Sequence, residues 1–267
     1  MAKVGIRTAS LNQSLPETLE TAGRLGYDGV EAVTRDPEQL RGWLSQDGPS
    51  GAAAQRAQAQ KAGVEISSFS LAIYRPVNFA QEDEAKRREG VALVSDTLRA
   101  CKNVGGVAVL LPHFDRERLD VSADEERRFV DGLRQVAPVA EETGVAIAIE
   151  TSFSAAQLIR IVDAVGSSKV GVYQDLANAI IYQQDPAATL RALGKRIVML
   201  HVKDTAPGGG NCALGEGRVD WKDCLAAVRD VGYDTPDAWF VLETPAGDNP
   251  ARDAARYLEF TRTWLAS

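Results

Sequence analysis

Four side chains that can bind metal ions close four short apolar runs. Glu150 ends VAIAIE, Asp175 ends VGVYQD, His201 follows RIVML, and Glu243 ends WFVLE. If these runs are neighbouring parallel strands, their carboxyl ends meet in one small volume. Carboxylates buried together are costly without a cation, so the pattern predicts a site for one divalent metal ion. This donor set favours Mn²⁺ or Mg²⁺, with Co²⁺ and Zn²⁺ as alternatives. For each acidic residue taken alone, helix capping or a pair with lysine is an equally good explanation.

The elements that would position these residues alternate regularly along the chain. Apolar runs such as KVGIRT, YDGVEAV and VAVLLP are separated by amphipathic helical stretches such as ADEERRFVDGLRQVAPVAEETG. Eight such pairs predict parallel βαβ units closed into a (β/α)₈ barrel, which we expect to form one α/β domain over residues 1–267. A doubly wound open sheet is the alternative, but no Gly-x-Gly-x-x-Gly sequence follows the first strand. Ser14 and Pro16 predict the start of the first helix, and glycines before several strands predict helix C-caps.

Composition and charge restrict the expected partners and location. The 267-residue chain has a net charge of -7 and no block of lysines and arginines, so we expect no nucleic-acid partner. It has no run of about 18 apolar residues, so we expect no membrane span. The amino terminus lacks the apolar core of a signal peptide, and the three cysteines lack metal-like spacing. These features predict a cytoplasmic protein with reduced thiols. A homodimer is the default expectation for a barrel enzyme.

Five segments, in this order and spacing, resemble a known family. AIAIET, VGVYQDLANAI, RIVMLHVKDT, LGEGRVDW and FVLET are similar to segments of the xylose isomerase-like TIM barrels, which include sugar phosphate isomerases and epimerases. The resemblance covers essentially the whole chain. It implies that Glu150, Asp175, His201 and Glu243 bind the metal, and that both glutamates exchange the substrate proton, as in ketose 3-epimerases of this superfamily. Many relatives have a histidine three residues after the aspartate. This chain has Asn178 there, which leaves the sugar specificity open.

The resulting hypothesis is a proton transfer next to a ketose carbonyl, without an organic cofactor. The metal would bind the carbonyl and an adjacent hydroxyl oxygen and stabilise an enediolate. Glu150 and Glu243 would be the catalytic pair, one removing a proton and the other returning one to the opposite face of the carbon. The substrate would be a small carbohydrate or polyol. The Gly-rich stretch APGGGNCALGEG is compatible with binding a phosphate group and with an ordinary flexible loop.

Four further residues are candidates for substrate binding: Asn178, Lys203, Arg218 and His113. Asn178 can donate a hydrogen bond to a substrate hydroxyl. Lys203 shares strand parity with His201 and can stabilise an oxyanion, although an ion pair with Asp204 or Glu216 explains it equally well. Arg218 lies in a Gly-rich loop and can reach a distal hydroxyl or carboxylate, or be a surface arginine. His113 ends the fourth apolar run, where a lone histidine is more often structural.

Three alternative functions are consistent with parts of the pattern. An inosose-type dehydratase would use the same metal site and lose water after the same proton abstraction. A phosphodiesterase of the endonuclease IV type uses a histidine-rich site with three zinc ions, whereas this chain has only His113 and His201. A non-catalytic sugar-binding barrel would keep the residues without turnover. Arg7, Glu31 and Ser70 end or approach the ends of earlier strands, and we expect them only to line the pocket.

Overall fold

The computed structural model describes residues 1–114 and 121–267. In chain order its strands are β1 (Lys3–Arg7), β2 (Gly29–Thr34), β3 (Glu65–Leu71), β4 (Ala108–His113), β5 (Ala146–Thr151), β6 (Val170–Asp175), β7 (Ile197–Val202), β8 (Asp204–Thr205), β9 (Asn211–Cys212) and β10 (Trp239–Leu242). Eight of these described strands form a closed parallel barrel in the order β1, β10, β7, β6, β5, β4, β3, β2. The predicted (β/α)₈ TIM barrel is therefore confirmed, and the open-sheet alternative is wrong. β8 and β9 form a separate antiparallel pair.

Helices follow most of the barrel strands. Within the described residues they are α1 (Thr8–Leu11), α2 (Leu15–Leu25), α3 (Pro37–Leu44), α4 (Ala52–Ala62), α5 (Glu84–Val104), α6 (Ala123–Thr143), α7 (Ala155–Val165), α8 (Leu176–Ile181), α9 (Pro186–Leu193), α10 (Trp221–Asp230) and α11 (Pro250–Ala266). As predicted, Ser14 begins α2, where it forms a capping box with Glu17. Gly26 ends α2 in the left-handed conformation, with φ 90°, also as predicted. Across residues 1–114 and 121–267, no helix has the length and apolar character needed to cross a membrane.

The chain divides into two compact units, and the prediction of a single domain stays a prediction. The first unit comprises residues 1–32, 58–67 and 173–267. Aromatic side chains fill its interior: the ring of Phe240 packs edge-on against Tyr233, at a centroid distance of 5.5 Å, and against Trp264, at 5.8 Å. The indole of Trp264 donates a 2.6 Å hydrogen bond to the carbonyl of Trp221 at the start of α10. These contacts hold α10 and α11 together next to β10.

The second unit comprises residues 33–57 and 68–172. Its core contains Trp43, Tyr74 and Phe79, which are all buried. Tyr74 packs edge-on against Phe79, with ring centroids 5.1 Å apart, and its hydroxyl accepts a hydrogen bond from the backbone N–H of Phe79. A Cβ atom at Gly132 in α6 would lie 2.3 Å from Cγ of Phe79, so this helix position requires glycine. Close packing of α6 thus depends on a residue without a side chain.

The segment after β7 is held by one buried carboxylate. Asp204 accepts hydrogen bonds from the backbone N–H groups of Thr205 (2.9 Å) and Val219 (3.1 Å) through Oδ1. Its Oδ2 accepts from Gly215 and Gly217, both at 3.0 Å. A Cβ atom at Gly217 would lie 2.1 Å from Oδ1 of Asp204, so glycine is required for this close approach. Asp204 therefore determines the path of the loop that leads from β8 to α10.

We predict that Asp204→Asn destabilises this loop. An amide keeps one acceptor oxygen but turns an NH₂ group toward two backbone N–H donors, leaving buried donors without a partner. The free energy of unfolding, measured by urea denaturation, should fall by about 1–3 kcal/mol, and cleavage between residues 206 and 218 should become faster in limited proteolysis. Glu216→Gln is the matched control, because Glu216 is exposed and pairs with Arg256; it should change stability by less than about 0.5 kcal/mol. Equal effects of the two substitutions would contradict this role of Asp204.

Candidate functional site

Three of the predicted ligands come from the carboxyl ends of β6, β7 and β10. Asp175 is the last residue of β6, and His201 lies near the end of β7. The register pairs Val241 of β10 with His201, so Glu243, two residues further on, is on the same face just beyond the strand. Nδ1 of His201 lies 2.9 Å from Oε2 of Glu243 and 3.9 Å from Oδ2 of Asp175. Alternation along the strands thus brings these donors together, as the sequence predicted.

Glu150 ends the apolar run of β5 and is also buried. It belongs to the second compact unit, whereas Asp175, His201 and Glu243 belong to the first, where their donor atoms lie close together. Their assignment as ligands nevertheless stays a prediction.

The hydrogen bonding of His201 fits a bound cation. Its Nε2 lies 3.1 Å from Oε1 of Glu31, and an ionised carboxylate only accepts hydrogen bonds, so Nε2 carries a proton. Without a metal, a second proton on Nδ1 makes His201 a cation that pairs with Glu243, and Nδ1 lies 2.9 Å from Oε2 of that residue. In the neutral ring Nδ1 instead directs a lone pair at this oxygen, and two such atoms at this distance need positive charge between them. A divalent metal bound by both atoms would supply it, and the nitrogen and oxygen donors are suitable ligands.

Buried acidic and basic side chains surround His201. Glu31, Asp175 and Glu243 are the acids, and Arg7 and Lys203 are basic residues in contact with them. Burial by itself would raise the pKa of Glu243, but the positive charges of Arg7, His201 and Lys203 hold that pKa well below its ordinary value. Glu243 is therefore ionised and able to act as a ligand or as a base.

The two carboxylate oxygens of Asp175 have different roles: one caps a helix and the other faces the predicted ligands. Its Oδ1 accepts a 2.7 Å hydrogen bond from the backbone N–H of Asn178 and so caps α8. Its Oδ2 lies 3.5 Å from Nζ of Lys203 and faces His201. The two explanations offered by the sequence, a helix cap and a ligand, are therefore compatible in one residue.

Lys203 and Asn178 lie beside the ligands. Nζ of Lys203 donates to Oδ1 of Asn178 at 3.1 Å and lies 3.4 Å from Oε1 of Glu243. The alternative ion-pair partners are engaged elsewhere: Asp204 accepts four backbone hydrogen bonds, and Glu216 pairs with Arg256 at 2.8 Å. Lys203 thus places a buried ammonium group among the predicted ligands. Contact of either residue with substrate remains a prediction.

The two other predicted substrate-binding residues have different surroundings. His113, the last residue of β4, stacks on Phe129 with ring centroids 4.4 Å apart and meets Phe153 edge-on at 5.3 Å. Arg218 is exposed and lines an open cleft of about 710 Å³ together with Thr205 and the glycines 208–210. His113 and Arg218 are not among the predicted metal ligands. Their roles stay predictions.

Sequence reasoning missed the residues behind His201. Glu31 was expected only to line a pocket, yet it is fully buried and accepts hydrogen bonds from His201 and from the hydroxyl of Tyr173 at 2.8 Å. Arg7 joins Glu31 to Glu243, with Nε 3.0 Å from Oε1 of Glu31 and Nη1 2.5 Å from Oε1 of Glu243. The available signal was that Arg7, Glu31 and Tyr173 all lie at or near the ends of apolar strands.

Comparisons with known proteins find relatives in sequence and in fold. L-ribulose-5-phosphate 3-epimerase UlaE of Salmonella paratyphi C (strain RKS4594) is 27% identical over 259 residues, covering 94% of this chain and 90% of the relative. A solved structure of L-ribulose 3-epimerase superposes with a TM-score of 0.81 at 20% identity and covers 100% of this chain and 95% of its own. The IolI protein, in a structure with a zinc atom bound, gives a TM-score of 0.81 at 22% identity and covers 99% and 98%. The relatives found by sequence are thus sugar epimerases, which indicates an enzyme.

A family model also matches the chain. The model for xylose isomerase-like TIM barrels matches residues 19–264, nearly the whole chain, including the strands that carry the four predicted ligands. The closed barrel and the position of those donors at the carboxyl ends of their strands are independent observations that agree with it. The chain belongs to the xylose isomerase-like TIM barrel family.

Proposed function

We propose that this protein is a divalent-metal-dependent epimerase or isomerase that acts on a ketose or a ketose phosphate. The observation that carries the proposal is the close group formed by Asp175, His201 and Glu243, to which the sequence pattern adds Glu150. It combines a set of metal donors with two glutamates, which is what proton exchange next to a carbonyl needs. The epimerase relatives favour this reaction over the dehydratase alternative. The name of UlaE extends the candidate substrates to pentulose phosphates.

A bound divalent ion would supply Lewis-acid polarisation of the substrate carbonyl. The carboxylate-rich donor set favours Mn²⁺ or Mg²⁺, and the zinc in the IolI structure makes Zn²⁺ a necessary member of any test. The residues proposed to bind the ion are Glu150, Asp175, His201 and Glu243.

The chain's own residues would perform the proton transfer. One of Glu150 and Glu243 takes the proton from the carbon next to the carbonyl. The electron pair of that C–H bond forms a C=C bond, and the π pair of the carbonyl moves onto its oxygen to give an enediolate. The other glutamate returns a proton to the opposite face of the same carbon, which inverts its configuration. The ammonium group of Lys203 lies 3.4 Å from Oε1 of Glu243 and can offset the developing negative charge. Asn178, which bonds to Lys203, would contact a substrate hydroxyl.

We predict about one tightly bound divalent ion per chain. Untagged protein would be loaded with a mixture of Mn²⁺, Mg²⁺, Co²⁺ and Zn²⁺, freed of weakly bound ions, and analysed by mass spectrometry. Glu150→Ala should weaken binding by at least about 10-fold, because losing a ligand costs no less than losing an outer hydrogen-bond partner. Glu89→Ala, an exposed position on α5, is the control and should bind normally. A folded wild-type protein without affinity for any of these ions would refute the proposed metal dependence.

We further predict that Glu243→Gln stops proton exchange while the barrel remains folded. Glutamine keeps the shape of the side chain but cannot accept the substrate proton, so incorporation of solvent deuterium into ketoses should fall by about 10²- to 10⁴-fold. The rate would be followed by NMR in D₂O at a metal concentration that saturates the variant, so that weaker metal binding does not limit it. Glu216→Gln provides the matched control. Undiminished exchange would exclude Glu243 from the acid–base chemistry, and an unsaturated product would indicate the dehydratase.

A further inference from the structure

Glu31 is a fully buried carboxylate for which neither proton exchange nor metal binding provides a use. Its side chain has no exposed surface. Oε1 faces Nε2 of His201 at 3.1 Å and Nε of Arg7 at 3.0 Å, and Oε2 accepts the hydroxyl proton of Tyr173 at 2.8 Å. A buried charge is costly unless such partners compensate it. Because burying this charge is costly, we expect Glu31 to orient the side chains that it contacts.

The orientation of His201 is one quantity that Glu31 controls. A neutral imidazole can carry its proton on either nitrogen, and the nitrogen without it is the metal donor. By accepting from Nε2, Glu31 leaves Nδ1 as the donor, on the side of Asp175 and Glu243. Tyr173 supports this arrangement twice, since its hydroxyl binds Glu31 and its ring lies 4.2 Å from the ring of His201, centroid to centroid.

The orientation of Glu243 is the second quantity, and Arg7 connects it to Glu31. The strand register places Arg7 opposite Glu31 across β1 and β2, and it pairs Ile6 with Leu242 across β1 and β10. The next residues along these strands are Arg7 and Glu243. The guanidinium group therefore forms ion pairs with two carboxylates: Nε lies 3.0 Å from Oε1 of Glu31 without hydrogen-bond alignment, and Nη1 lies 2.5 Å from Oε1 of Glu243. Oε2 of Glu243 is left facing Nδ1 of His201 at 2.9 Å.

We propose that Arg7, Glu31 and Tyr173 form a positioning relay that presents Nδ1 of His201 and Oε2 of Glu243 to the same cation. In this relay, metal affinity and the orientation of Glu243 depend on residues that touch neither the metal nor the reacting carbon. Outer hydrogen-bond partners of metal-binding histidines have this effect in general. The inference rests on the proposed function in one respect, namely that the site binds a divalent cation.

The first test needs no substitution. The protein has only two histidines, so isotope-labelled histidine gives signals that are simple to assign. After loading with an NMR-active isotope of Cd²⁺, we expect one-bond coupling between the metal and Nδ1 of His201, with a proton on Nε2. Coupling to Nε2 would overturn the relay while leaving the metal site intact. Failure of Cd²⁺ and of the other divalent ions to bind would overturn the proposed function and the relay together.

The second test measures metal affinity by competition with a chelator. Glu31→Gln should weaken binding by about 10- to 100-fold. Arg7→Lys should act in the same direction, because an ammonium group cannot reproduce the fork that spans two carboxylates. Glu65→Gln is the matched control: Glu65 is an exposed strand residue paired with Lys3, and its substitution should leave affinity unchanged. Normal affinity in a folded Glu31→Gln variant would overturn the relay.

A variant that retains every charge can test the relay even if Glu31→Gln does not fold. Tyr173→Phe removes one hydrogen bond to Glu31 and keeps the ring beside His201. We expect a smaller loss of metal affinity than for Glu31→Gln, together with a second His201 signal in the Cd²⁺-loaded spectrum as the ring orientation becomes less uniform. An affinity and a spectrum identical to those of the wild-type protein would count against the relay even if Glu31→Gln does not fold.

Discussion

Burial of several carboxylates in one small volume is the constraint on which the rest of this site depends. Each ionised carboxylate in the interior needs a positive partner or several hydrogen bonds, because transfer of a charge out of water is expensive. Arg7 and Lys203 supply two positive charges in contact with Glu31, Asp175 and Glu243. The depressed pKa of Glu243 follows from the same arrangement, because neighbouring positive charges outweigh the effect of burial.

In Asp175 and Glu243, one carboxylate oxygen is bound by other groups of the protein and the other oxygen faces His201. Asp175 caps α8 with Oδ1 and faces the cluster with Oδ2. Glu243 binds Arg7 with Oε1 and approaches His201 with Oε2. Since one oxygen of each is fixed by the protein, the direction of the other is determined before a ligand arrives. Such preorganisation lowers the cost of binding a cation and of placing a base against its substrate.

The sequence was sufficient to predict the barrel and the proximity of Asp175, His201 and Glu243, because both follow from local periodicity. A residue such as Glu150 or Asp175 at the end of an apolar strand has a side chain whose face is set by alternation. The contacts of Glu31 with Arg7 and His201 could not be predicted in the same way, since they depend on which strands are neighbours and in which register. Asp204 was considered only as a possible ion-pair partner, because hydrogen bonds to backbone N–H groups leave no pattern in the residue types.

The two basic residues of the site are held differently, and this difference bears on their roles. Arg7 engages Glu31 and Glu243 at 3.0 and 2.5 Å through a rigid, planar group. Lys203 has longer contacts, of 3.1 to 3.5 Å, with Asn178, Glu243 and Asp175, at the end of a flexible four-carbon stem. A cation held by short contacts in a fork serves to fix its partners. A cation with several longer contacts, such as the ammonium group of Lys203, can turn toward a substrate oxygen at little cost. This supports the role in stabilising developing charge that we propose for Lys203.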